Sequence, residues 1–259
     1  VFLQEMDAGR NNGSSTYECL LFDMDDTLYP RSCGINLACR KKIEEFMLKY
    51  LHMEESEVPR ICLDLYVEYG TTMAGLKALG YEFDDDEYHA CVHGTLPYEA
   101  LNPDPVLRNL LLSMPQRKII FTNADKGHVA QVLHRLDLED CFEGVICFET
   151  LNDQSSESKS NGILCKPSIE AIQAAIKITD IDPKKTIFFD DSIRNIESGK
   201  AAGLHTVIVG RSELVPGADH ALGSIHNIKE ALPELWEGED IDQPEQAKQS
   251  PAVETMVHA

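Results

Sequence analysis

Short apolar runs, most of them ending in or followed directly by a polar or acidic residue, constrain this chain more than any other feature. Tyr17–Phe22, Lys118–Thr122, Gly144–Phe148, Thr186–Asp190 and His205–Val209 are rich in β-branched, aromatic and Leu residues and too short for buried helices. After the second run they alternate with helical patterns at about 127–136, 168–178 and 193–202. Strands alternating with helices imply parallel pairing by right-handed crossovers, hence a doubly wound α/β fold. The stretch from Cys33 to Glu99 breaks this rhythm. Ile35, Cys39, Ile43, Phe46, Met47 and Tyr50 keep helical spacing, as do Val58, Ile61, Cys62, Leu65, Tyr66 and Tyr69, with Ser56 placed to cap the second helix. Asp84–His93 forms a third helical candidate, and no good strand occurs in the stretch. It reads as a helical module inserted between the first strand and the remainder of the sheet.

The expected organisation is therefore an N-terminal tail over 1–16, a core from 17–32 and 103–236, an inserted helical domain over 33–102, and an acidic tail over 237–259. A polar loop is expected over 152–162. With 259 residues, 43% of them hydrophobic, there is material for one α/β core and a smaller domain. The formal charge of -21 argues against nucleic-acid binding through a basic face. It leaves room for a small phosphorylated ligand, which feels the local field of its pocket. The eight cysteines show no C-x-x-C pair and no zinc-like spacing with His, which reads as buried, reduced thiols. No run is long and apolar enough to span a membrane, and residues 1–15 lack a basic segment followed by an apolar one. A cytoplasmic location is the expectation.

In open α/β sheets, ligands bind beyond the C-terminal ends of the strands. Four groups fall at such ends or at helix starts: Asp23-Met24-Asp25-Asp26-Thr27, Thr122-Asn123, Lys166-Pro167 and Asp190-Asp191-Ser192. Together they suit phosphoryl transfer. One carboxylate can attack phosphorus, and a second can protonate the leaving alkoxide and then activate water. Further carboxylates can hold Mg²⁺, and a hydroxyl, backbone N–H groups and a lysine can steady the phosphoryl oxygens. Taken singly, each group has a plainer reading, the Asp pairs as helix caps and Lys166 as a surface lysine.

The four groups, in this order over about 17–210, resemble the four motifs of the haloacid-dehalogenase-like (HAD) superfamily. The resemblance implies a HAD-like Rossmannoid core with a helical C1-type cap over 33–102, and Mg²⁺ as cofactor. It implies Asp23 as nucleophile and metal ligand, Asp25 as general acid/base that also binds metal through its carbonyl, and Thr122, Asn123 and Lys166 as phosphate-binding groups. Asp191 is implied as a direct metal ligand, with Asp190 behind it or reaching through water. Asp25 favours phosphorus chemistry, because the family's dehalogenases lack an aspartate at that position.

Tyr69-Gly70-Thr71-Thr72-Met73-Ala74-Gly75-Leu76, with residues 23–29 and 188–192, resembles the pyrimidine-5'-nucleotidase-like branch. Within it the chain is similar to plant phosphatases acting on xanthosine 5'-monophosphate (XMP). The expected partner is thus a nucleoside monophosphate, with no nucleic acid and no membrane. A nucleobase needs hydrogen-bond donors and a flat apolar wall, and Tyr29, Arg31, Tyr66, Tyr69, Thr71, Thr72 and His93 are candidates, along with Tyr81 and His89. Asp26 is read as structural, and Arg194 and Asn195 as supports for the acidic pair. His89 and His93 share a helix face, but no third metal ligand is apparent from the sequence.

Overall fold

The computed structural model describes residues 16–152 and 162–236. The expected tails and polar loop lie outside these residues except for their end positions. The sheet has six parallel strands: β1 Cys19–Phe22, β2 Arg117–Phe121, β3 Gly144–Ile146, β4 Thr186–Asp190, β5 His205–Val209 and β6 His220–Leu222, in the order β3-β2-β1-β4-β5-β6. Strand order reverses at β1, which pairs with β2 on one side and β4 on the other. The reversal opens a crevice at the C-terminal ends of β1 and β4.

Period-two alternation divides the strand side chains between two cores. Leu20, Phe22, Ile120, Ile187, Phe189 and Val207 face one, and Cys19, Leu21, Ile119, Phe121 and Phe188 face the other. Both faces are buried, so the strands read as continuous apolar runs. The first core is covered by α5 Pro105–Ser113, α6 Lys126–Leu136 and α10 Ile228–Ala231, and the second chiefly by α8 Ile169–Thr179. Helix α9 Ile193–Ala201 splits its contacts, with Ile196 fully buried and Gly199 so close that a Cβ there would lie 2.8 Å from the Phe188 ring.

Between β1 and α5 the chain forms α1 Ile35–Lys49, α2 Val58–Tyr69, α3 Thr72–Ala78 and α4 Asp85–Val92. These helices enclose a third apolar cluster around Phe46, Met47, Leu65, Met73, Leu76 and Tyr88. Phe148, at the start of the short α7 Phe148–Leu151, belongs to this cluster and ties it to the sheet side. Asp84 caps α4 through the Glu87 N–H. Ser56 does not cap α2. The capping position falls to Glu57, whose side chain makes no capping bond, and Pro59 in the first turn leaves one fewer N–H to satisfy. Helix α3 was not expected.

Gly70 turns α2 into α3 with φ +90°, and a Cβ there would lie 2.4 Å from the Lys166 carbonyl oxygen and 2.7 Å from Pro167 Cδ. Gly80 also has positive φ, +86°, but nothing lies within 4 Å of its missing Cβ. Both Gly→Ala variants carry backbone strain of about 1–3 kcal/mol. Only Gly70→Ala adds a clash with rigid backbone. Thermal denaturation should therefore show Gly70→Ala clearly less stable than Gly80→Ala, and equal losses would contradict the packing described.

Candidate active site

Asp23 follows β1 directly, and its N–H donates to the Phe189 carbonyl of β4 (2.8 Å), which sets it beside Asp190. Lys166 reaches in from the segment before α8. Its ammonium donates to Asp23 Oδ1 (2.8 Å), Asp190 Oδ2 (2.8 Å) and the Phe121 carbonyl (2.7 Å). Three N–H groups meet three acceptors, so this buried cation, 2% exposed, is fully satisfied. Asp190 is held further by the Ser192 N–H at Oδ1 (2.9 Å) and by the Asn195 amide at both oxygens (3.0 Å). Arg194 turns away to the Tyr66 and Val67 carbonyls and stacks on the Tyr66 ring, so of the two expected supports Asn195 bonds the acidic pair and Arg194 does not.

Asp23, Asp190 and Asp191 each place a carboxylate oxygen within 4.8 Å of the others. Burial, and then the neighbouring carboxylates of Asp190, Asp191 and Asp25, push Asp23 well above the usual carboxylate range despite Lys166. Burial and Asp190 likewise push Asp191 up to about 7. One ammonium does not balance this much acid. The deficit and the all-oxygen donor set fit a hard divalent cation such as Mg²⁺.

Asp25 stands across the crevice. Its Oδ1 accepts from the Tyr29 hydroxyl and lies 2.7 Å from His128 Nε2. His128 Nδ1 lies 2.7 Å from the Tyr98 hydroxyl oxygen, and that hydroxyl donates to the His93 carbonyl (3.1 Å). With that hydroxyl donating to the His93 carbonyl, the tautomer that fits has His128 Nδ1 donating to the Tyr98 oxygen and Nε2 facing Asp25. Burial alone would raise Asp25, but His128 and the two hydrogen bonds bring it below its ordinary value. Burial alone would lower His128, but Asp25 raises it. Both shifts favour a protonated His128 beside an ionised Asp25. Sequence reasoning missed this residue, although its place in the first turn after Thr122-Asn123-Ala124-Asp125 was visible.

Thr122 is buried, and its hydroxyl accepts from the Ala124 N–H (3.1 Å). The Asn123 side chain bridges the Lys166 backbone, accepting from its N–H (2.8 Å) and donating to its carbonyl (2.9 Å). Asp26 is buried, accepts from Asn36 (3.0 Å) and lies 3.9 Å from Arg31. Burial raises the thiols of Cys147 and Cys165, which suits inert packing.

A cavity of about 420 Å³ opens over these groups, a size that holds a nucleotide-scale ligand. Its walls include Asp23, Asp25, Asn123, Lys166 and Asp191 from the strand ends, and Tyr29, Arg31, Tyr66, Thr71, Thr72, His89 and His93. Tyr69 and Tyr81 do not line it. Both are partly buried against the helical cluster, with the Tyr69 ring at Gly75. The His89–His93 face is not a polar surface, since α4 carries both rings inward to Asp125. Asp125 is the third potential ligand that the sequence did not reveal. Its Oδ1 caps α6 through the Gly127 and His128 N–H groups, and its Oδ2 faces the two histidines.

The fold is a doubly wound α/β sheet that gathers carboxylates and a buried lysine at its switch point. The chain belongs to the haloacid dehalogenase-like hydrolase family, whose model matches residues 17–203. It is 27% identical over 196 residues to phosphate metabolism protein 8 of Saccharomyces cerevisiae, an alignment covering 72% of this chain and 60% of that protein. It thus spans about three fifths of that relative's length. Among solved structures it resembles the HAD hydrolase YfnB of Bacillus subtilis bound to magnesium (TM-score 0.53, 20% identity, 83% of this chain and 97% of that one). It also resembles CbbY of Rhodobacter sphaeroides in complex with phosphate (TM-score 0.55, 18% identity, 85% and 99%). At these identities the structural likeness speaks to the fold. Among the described residues no helix is long and apolar enough to cross a membrane.

Proposed function

We propose that this protein is a Mg²⁺-dependent phosphomonoesterase that hydrolyses a nucleoside 5'-monophosphate, with XMP its preferred substrate. The observation that carries the reading is the buried Asp23–Lys166–Asp190 cluster, with Asp191 beside it and Asp25 across the crevice, on the floor of a nucleotide-sized cavity. Asp23 attacks phosphorus through a carboxylate oxygen as the ester P–O bond breaks, and Asp25, supplied by His128, protonates the departing alkoxide. Asp25 then takes a proton from a water that attacks the aspartyl-phosphate, which frees Asp23 and releases phosphate. Thr122 and the Asn123 backbone hold the phosphoryl oxygens, and Lys166 joins them by exchanging one of its three present acceptors for a phosphoryl oxygen. Asp23, Asp191 and the Asp25 carbonyl would hold Mg²⁺, with Asp190 behind them, and the ion supplies charge neutralisation between anionic nucleophile and anionic substrate.

The helices between β1 and α5 act as a cap that excludes water and admits small substrates only. Arg31, Thr71 and His93 offer donors to a base that carries carbonyl oxygens on its ring, and Tyr66, Tyr88 and Phe148 offer a flat wall. The choice of XMP within this frame rests on the resemblance of residues 69–76 and of the strand-end motifs to the plant phosphatases.

A phosphate-release screen tests both levels. XMP should exceed GMP, UMP and sugar phosphates in kcat/KM by at least about 10²-fold, and EDTA should abolish all turnover. Comparable efficiency on all of them would remove the XMP assignment, and EDTA-resistant turnover would remove the metal. Protons compete with the cation for Asp191, which is protonated below about pH 7 when metal-free. The Mg²⁺ concentration for half-maximal rate should therefore rise as pH falls below 7, by about tenfold per unit where one proton is displaced.

A further inference from the structure

We propose that His89, His93 and Asp125 form a second cation site, selective for a divalent transition ion of the zinc type and separate from the carboxylate cluster. Their ligand atoms lie within 4.8 Å of one another. His89 and His93 are one helical turn apart at the end of α4, the spacing that points two imidazoles at one ion. Asp125 supplies the third ligand through Oδ2, which lies 3.4 Å from His89 Nδ1 and contacts His93 Nδ1, while Oδ1 stays engaged in capping α6.

The residue that a simple hydrogen-bonded network does not explain is His89. It is 91% buried, yet neither ring nitrogen makes a hydrogen bond to any described residue. The His93–Asp125 pair would be complete without it. A buried imidazole without a hydrogen bond is costly unless something occupies its lone pair. The surroundings decide the ion's type. Phe148 packs against His89 (centroids 4.6 Å apart) and the His128 ring stacks on His93 (4.6 Å), so few oxygens are near. Both nitrogens of His128 are engaged by Asp25 and Tyr98, which excludes it as a ligand. Two imidazoles and one carboxylate suit Zn²⁺ or Co²⁺ and poorly suit Mg²⁺, which prefers oxygen. Three protein ligands leave a fourth position, and His89 and His93 line the cavity into which it would open. An ion here would clamp α4, from the inserted helices, to the start of α6 on the sheet side.

The test is Zn²⁺ titration of EDTA-treated full-length protein by calorimetry in saturating Mg²⁺, which occupies the carboxylate cluster. One equivalent of Zn²⁺ should bind with micromolar or tighter affinity. His89→Phe, which removes two nitrogens that make no hydrogen bond and keeps a ring, should weaken it at least tenfold while its metal-free Tm stays at or above the parent's. Asp125→Asn should weaken it as well. Co²⁺ in place of Zn²⁺ should give a visible d–d band that His89→Phe loses. No Zn²⁺ heat under saturating Mg²⁺, or equal Zn²⁺ affinity in parent and His89→Phe, would overturn the proposal. Neither result bears on the phosphatase reading, which the EDTA and substrate screens address separately.

Discussion

Replacing Asp23 by Asn should lower turnover by roughly 10³–10⁴-fold or more, while the protein stays folded. The amide keeps the shape of the carboxylate but has no anionic oxygen to bond to phosphorus, so no covalent intermediate forms. The fold should not suffer, because Asp23 is a strained charge in the metal-free protein. Burial and the surrounding carboxylates raise its folded-state value, so the stability associated with it is present below its ordinary range and is lost as pH climbs through the raised value. Asn removes that loss. The metal-free variant should therefore match the parent in acid and grow more stable relative to it as pH rises. Stopped-time phosphate assays and thermal denaturation across pH measure the two effects, and near-native turnover in Asp23→Asn would end the nucleophile assignment.

Lys166→Met should be the most destabilising substitution at the site. The methionine fills much of the same volume, but three buried acceptors lose their donor together and two of them are carboxylates. Removing one partner of a buried charge cluster costs about 3–5 kcal/mol, and on the order of 10 °C in Tm for a domain of this size. The loss should shrink in acid, where Asp23 takes up a proton, and shrink again with Mg²⁺ if that ion sits among the same carboxylates. A Tm within about 2 °C of the parent would mean that the lysine is not the counterion its geometry describes. Turnover should fall with it, since Lys166 lies within hydrogen-bond reach of Asp23, the proposed nucleophile.

What the sequence disclosed and what it hid have physical causes. β4 matches its expected bounds, Thr186–Asp190, because a strand buried on both faces is an unbroken apolar run. β6 was missed because it has three residues, of which only Leu222 is fully buried. Helix α3 was missed for the opposite reason. Thr72, Met73, Ala74, Gly75 and Leu76 are all buried, so no polar face marks a helical period. Its glycine is there for packing, since a Cβ would lie 2.7 Å from Leu65 Cβ. The expected strand at 144–148 stops at Ile146 because Cys147 caps α7, a change of direction that an apolar run does not signal.

The carboxylate cluster was legible because each member stands at a strand end or helix start, where local pattern and chemistry coincide. The histidine cluster was not. It joins the end of α4 to the cap of α6, and His128 meets Asp25 across a crevice, with no local pattern at either end. The cavity-facing candidates were legible only as residue types. Helical phase turned Tyr66 to the cavity and Tyr69 against Gly75, and that phase depends on how the helices dock.

The position of β1 also bears on how the protein is made. It is the central strand of the sheet, yet Cys19 pairs with Arg117 on one side and Thr186 on the other. On the ribosome, this apolar segment emerges before both of its partners and waits, without those hydrogen-bonding neighbours, until the inserted helices and the core as far as β4 have been synthesised. Such long-range parallel pairing folds slowly and leaves a sticky strand exposed meanwhile. The inserted helices, whose contacts are largely local, can collapse first and shorten the effective loop that β1 must close.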